Sequence, residues 1–131
     1  MMDTKQYLTS VRYLEQRLRM KQIHAESMQK DLNYGGILPS TYIRQVMAEI
    51  RNETIQAEEN FLKAKQEAMD LLNQIHPESA MILTQRYWEK KTMPAIANGL
   101  YLSERQAYRR LNSAIAEFQA VLDSSEIQKA G

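Results

Sequence analysis

The chain has no cysteine in its 131 residues. Disulfides and thiolate metal sites are therefore excluded, and a reducing compartment fits. Glycine and proline are scarce. Five of the seven fall in three places: Gly35, Gly36 and Pro39; Pro77; and Gly99. The stretches between them are long enough for long helices. No run of about 18 apolar residues occurs, and no charged-then-apolar leader opens the chain. Neither a membrane span nor a signal peptide is expected, and the expected location is cytoplasmic.

Chemistry-bearing clusters are missing as well. His24 and His76 lie on different predicted helices, with no His-x-x-His or Glu-x-x-His pairing to hold a metal. Glu58 and Glu59 are adjacent on a helix and diverge by about 100°, so they cannot act as a paired acid and base. Gly35-Gly36 lacks the Lys-Ser/Thr that completes a phosphate loop. Ser124-Ser125 has neither base nor oxyanion partner. The expectation is a protein that is not an enzyme and that needs no cofactor or metal.

Helical period dominates what remains. In residues 4–32, Tyr7, Val11, Leu14, Leu18, Lys21, Ala25, Met28 and Leu32 alternate spacings of four and three. Lys21 is the one polar member, and its aliphatic stem can lie along the seam with its ammonium in water. Such a helix is roughly 40 Å long. It should stop near Asn33-Tyr34-Gly35-Gly36, with Pro39 blocking resumption. Ser40 or Thr41 then caps a second heptad: Ile43, Met47, Ile50, Thr54, Ala57, Phe61, Ala64, Ala68, Leu71 and Ile75. Pro77 ends it and opens the next helix.

Two heptad helices joined by about eight residues predict an antiparallel hairpin over residues 1–76, or seams that pair with another subunit. Ile55, Leu62 and Met69 form a second apolar stripe about 100° round the second helix. It either packs on residues 77–122 or meets a second protomer. A homodimer or higher oligomer assembled through residues 1–76 is expected.

The C-terminal stretch, residues 77–131, carries a different pattern. Thr92 caps a helix with Pro94 in its first turn, and Ile96, Ala97 and Leu100 form an apolar face. Gly99 is expected to end this helix in the left-handed conformation. Ser103 caps the next, and Gln106 completes a capping box. That helix should bury Ala107, Leu111, Ala114, Ile115 and Phe118, leaving Glu104, Arg105, Gln106, Arg109 and Arg110 outside. A small-residue helix, a tight turn and a helix exposing Arg and Gln in its first two turns is a helix-turn-helix arrangement. The fold expected is thus all-α: a long hairpin, then a three-helix helix-turn-helix unit. Trp88 is expected to plug the core of that unit, with base stacking the lesser role.

Net charge is only +1, but its distribution is uneven. Residues 1–76 balance ten basic against ten acidic residues. Residues 84–112 hold Arg86, Lys90, Lys91, Arg105, Arg109 and Arg110 against Glu89 and Glu104, six against two, a net +4. A local basic patch suits phosphates, although a solvated helix surface has the same composition. Arg105, Gln106 and Arg109 stand where side chains reach base edges in the major groove. Tyr108 and Arg110 flank them. Lys90, Lys91 and Thr92, with Ser103 at the start of the reading helix, are the expected backbone contacts. For Arg110 the alternative is a salt bridge to a carboxylate of the hairpin.

The pattern Ile96-Ala97, Leu100, Ser103, Tyr108-Arg109 and Ala114-Ile115 resembles region 4 of bacterial sigma factors. More closely it resembles phage regulators of the ArpU/RinA kind, with Leu83, Arg86 and Tyr87 where those proteins have their leading helix. The resemblance covers residues 78–122. Tyr101 stands where that pattern has glycine, and Arg110 where it has an apolar residue. What the resemblance implies is a phage or prophage transcription regulator of the host bacterial cytoplasm, binding double-stranded DNA, with RNA polymerase as a further partner. Two other readings are a packaging protein like a small terminase subunit, and a polymerase- or sigma-binding regulator that does not bind DNA.

Overall fold

Long period-3.6 stretches punctuated at few places fold as helices, and helices are the regular structure found. The computed structural model describes residues 2–35 and 40–130. Its elements are α1 (Thr4–Gly35), α2 (Ser40–Leu72), α3 (Pro77–Tyr87), α4 (Met93–Gly99) and α5 (Glu104–Ala130). The all-α class expected from the sequence is therefore observed. No described helix is long and apolar enough to cross a membrane. The sequence predicts that the first helix stops near Asn33, within Asn33-Tyr34-Gly35-Gly36; α1 instead continues through Gly35, and residues 36–39 lie outside the described residues.

The sequence pattern divides the chain at residues 76 and 77. The compact units divide elsewhere: Tyr13–Lys65 is one, and Met1–Arg12 with Gln66–Gly131 is the other. The reason is the position of large apolar side chains at the outer ends of α1 and α2. Leu8, Leu71 and Leu72 belong to the same buried cluster as the side chains of α3, α4 and α5.

Within Tyr13–Lys65, both heptads face inward. Leu14, Leu18, Lys21, Ala25, Met28 and Leu32 of α1 are buried or half-buried, as are Ile43, Met47, Ile50, Thr54, Ala57, Phe61 and Ala64 of α2. The two polar members are accommodated separately. Lys21 Nζ reaches Glu53 at 3.2 Å, and the Thr54 hydroxyl donates to the Ile50 carbonyl at 2.9 Å. Leu14 and Lys21 share a hollow with Glu53, Ala57 and Asn60. Ala25 and Gln29 share another with Met47, Ile50 and Thr54.

The other unit is built on a core of Leu8, Leu71, Leu72, Ile75, Ile82, Leu83, Met93, Ile96, Ala97, Ala107, Leu111, Ala114, Phe118 and Leu122. Phe118 is fully buried, and its ring lies 5.8 Å from that of Tyr7, tilted by 41°. Burying a side chain of that size contributes about 1.5–3 kcal/mol.

The second heptad does not remain helical to its last member. α2 stops at Leu72, and Gln74 and Ile75 bond three residues back, to Leu71 and Leu72, at 3.1 and 3.3 Å. This tightened turn keeps Ile75 buried at 7% exposure while redirecting the chain. Pro77 disfavours helical backbone at the residue before it. His76 is accordingly extended, φ −58° and ψ 137°, and its Nδ1 caps α3 by accepting from the Glu78 amide at 3.2 Å.

Candidate nucleic-acid interface

The basic face rests on α3, α4 and α5, whose apolar sides meet in one core. Ile82 and Leu83 from α3, Met93, Ile96 and Ala97 from α4, and Ala107, Leu111 and Ala114 from α5 are all buried there. Ile115, also expected inside, is half-buried against the same cluster. Ala97, Ala107 and Ala114 are small, which lets helix backbones approach closely.

The start of α4 forms as its residues dictate. Thr92 is extended, and its hydroxyl accepts from the Ala95 amide at 3.3 Å, with proline in the first turn. Its end does not follow the glycine expectation. Gly99 is the last residue of α4 itself, and Tyr101 takes the left-handed conformation instead, at φ 58°. The Leu102 amide donates to Ala97 at 2.9 Å and the Tyr101 amide to Asn98 at 3.3 Å. Those two bonds form a Schellman closure, in which the left-handed residue stands one past the cap. The cap is Leu100, so geometry selects residue 101 whatever its side chain. Tyr101 is 96% exposed.

Lys90 also has positive φ, at 54°. It sits in the loop from α3 to α4, where the Glu89 amide donates to Thr84 and the Lys91 amide to Gln85, both at 2.9 Å. Arg86 Nη1 donates to the Lys91 carbonyl at 3.0 Å and ties the loop to α3. Lys90, Lys91 and Thr92 are all exposed.

At the start of α5 the capping box is present in both directions. The Gln106 amide donates to Ser103 Oγ at 3.1 Å, and the Ser103 amide donates to Gln106 Oε1 at 3.0 Å. The second bond bears on recognition. Reading adenine takes both ends of a glutamine amide, and Gln106 has turned its carbonyl back to the helix end. Capping and base reading thus compete for one side chain.

Arg105, Tyr108 and Arg109 are exposed on the first two turns of α5. Among the described residues neither Arg105 nor Arg109 makes an ion pair. Arg110 differs: its guanidinium pairs with Glu78, at the N-terminus of α3. The sequence alternative of a salt bridge is realised, with a partner on α3 and not on either long helix. Leu102, Gln106, Arg109, Arg110 and Ser113 line a shallow hollow on this side.

Sequence reasoning passed over Asn112. It lies seven residues after Arg105 and three after Arg109, on the same side of the helix, and is exposed. That spacing was the available signal. Asparagine carries the same paired donor and acceptor as glutamine.

Two further groups of contacts brace the unit, one at Trp88 and one at Glu117. Trp88 is half-buried against the core, as expected of a plug, and its indole N–H donates to the Leu8 carbonyl at 3.0 Å. Arg12 in turn donates to the Trp88 carbonyl. Glu117 accepts from the His76 amide at 2.6 Å and from the Ser79 hydroxyl at 2.7 Å. These two donors hold its carboxyl below the usual carboxylate range. Comparison with protein-family models, with curated proteins and with solved structures finds no match to this chain.

Proposed function

We propose that the chain is a sequence-specific double-stranded DNA-binding regulator of the phage type. In this reading α4 and α5 act as the helix-turn-helix, and α5 enters the major groove. The observation that carries it is the pair Arg105 and Arg109. Both are exposed, without ion-pair partners among the described residues, on the first two turns of a helix braced by α3 and α4. Arginine at such positions binds guanine O6 and N7. Asn112 takes the adenine-reading part assigned from sequence to Gln106, which serves as the cap.

Lys90 and Lys91, with the exposed N-terminus of α4, supply phosphate contacts, and Tyr108 flanks the face. The two long helices serve assembly as a helical hairpin. RNA polymerase as a partner rests on the sigma-like resemblance alone.

A second reading has one observation in its favour. Gln106, one of the three expected readers, and Arg110, which flanks them, are engaged inside the protein by Ser103 and Glu78. A polymerase- or sigma-binding regulator could keep this fold and dispense with base reading. Selection of bound duplexes from fragmented genomic and random-sequence DNA separates the two. A recovered consensus supports the regulator. Recovery of unenriched DNA, or of none, removes base reading and leaves protein binding.

A further inference from the structure

Four residues of α5 form one free arc. Arg105, Tyr108, Arg109 and Asn112 are spaced i, i+3, i+4 and i+7, which sets them within about 100° of one another round the helix. All four are exposed. Beyond the arc on one side, Gln106 and Arg110 are held by Ser103 and Glu78. Within the arc, Arg105, Arg109 and Asn112 end in polar heads, and Tyr108 alone presents an apolar body, 48% exposed. Among the described residues the aromatic pair is Tyr7 with Phe118, so the Tyr108 ring has no aromatic partner. We propose that this ring determines specificity by packing on the 5-methyl group of a thymine in the bound duplex. The proposal rests on the reading of α5 as the recognition helix and names the base that Tyr108 selects.

Groove chemistry narrows the choice. Base edges in the major groove offer hydrogen-bonding groups at every pair but a single apolar group, the thymine methyl. Arginine matches guanine O6 and N7, and asparagine matches adenine N6 and N7. An aromatic ring matches the methyl. A tyrosine can instead donate its hydroxyl to a phosphate, which fixes register and carries no base preference. Placement favours the ring contact. Along the axis Tyr108 lies about 4.5 Å past Arg105 and about 6 Å before Asn112. Round the helix it is about 60° from the first and about 40° from the second. Bases are stacked about 3.4 Å apart. The selected thymine therefore falls between the bases that Arg105 and Asn112 address.

Titration of the full chain with the selected duplex tests this, each thymine being replaced in turn by deoxyuridine. That base pairs alike but lacks the methyl group. Loss of base preference in Arg105→Ala and Asn112→Ala marks the two outer positions. Deoxyuridine at one position between them should weaken wild-type binding about fourfold, the worth of one buried methyl group. Thymines elsewhere should tolerate the change. Tyr108→Ala should bind the thymine and deoxyuridine duplexes alike. Tyr108→Phe, which keeps the ring and loses the hydroxyl, should preserve the wild-type difference.

Equal wild-type affinity for every deoxyuridine duplex overturns the inference. So does a difference that survives Tyr108→Ala or vanishes in Tyr108→Phe, and so does a consensus without thymine between the two outer positions. If Arg105→Ala still weakens binding to the selected duplex in those cases, α5 reads DNA and only the thymine contact falls. If selection recovers no consensus, base reading and the thymine contact fall together.

Discussion

Tyr101 holds a backbone conformation that costs an L-residue about 1–2 kcal/mol, and its side chain is almost wholly in solvent. Tyr101→Gly should therefore raise stability by about 1 kcal/mol in urea unfolding. Gly99 lies in helical backbone, and a methyl group added to its Cα would meet nothing within 4 Å. Gly99→Ala should then stabilise by about 0.5–1 kcal/mol. The reverse pair of results would restore the glycine turn expected from sequence. Ser103→Ala should lose about 1 kcal/mol and release Gln106 from its cap. What was legible here was composition: the capping residues and the outward arginines follow from side-chain chemistry and spacing. Which residue turns left-handed was not, because hydrogen-bond closure after Leu100 decides it. Glycine frequency argued for position 99 and was misleading.

Elements were legible wherever a period existed. Every member of both heptads is buried or half-buried, since packing along a seam leaves a signature of four and three. The end of α2 was less legible, because Ile75 stays buried after the helix has stopped. Least legible was the first turn of α1. Thr4 is fully buried; its amide donates to Gln119 Oε1 at 2.8 Å, and its hydroxyl to the Ile115 carbonyl at 3.2 Å. Contacts across more than a hundred residues carry no period. Gln119→Leu should leave the Thr4 amide unpaired and cost about 1–3 kcal/mol, measured by chemical denaturation. Gln119→Glu keeps the acceptor but loses the amide that donates to Asp123 at 3.0 Å and sets two carboxylates together. It should therefore be destabilising at neutral pH and less so below the carboxylate range.

The junction of α3 and α5 adds a pH dependence. The carboxyl of Glu117 titrates lower in the folded chain than its ordinary value of 4.5. A lowered folded value means the stabilisation is fully present above the unfolded value and is lost as pH falls through the folded one. Glu117→Gln should thus flatten the acid limb of thermal stability and leave neutral-to-alkaline behaviour parallel to wild type. An unchanged acid limb would show that the bonds to His76 and Ser79 are not maintained in solution.

At the scale of the whole molecule, a nearly neutral chain concentrates net positive charge on residues 84–112. That distribution was readable at once; its partner was not, since a basic helix face has the same composition whether it meets phosphate or water. Once the selection above has supplied a duplex, a fluorescence titration of wild type, Arg105→Ala, Arg109→Ala and Lys90→Ala against it, and against a scrambled duplex, at several salt concentrations decides the central claim. The arginine variants should each lose about 1–3 kcal/mol on the selected duplex and little of that on the scrambled one. Lys90→Ala should weaken both about equally and lower the salt slope by about one. Arginine variants that bind the selected duplex as tightly as wild type would contradict the assignment of α5 as the reading helix.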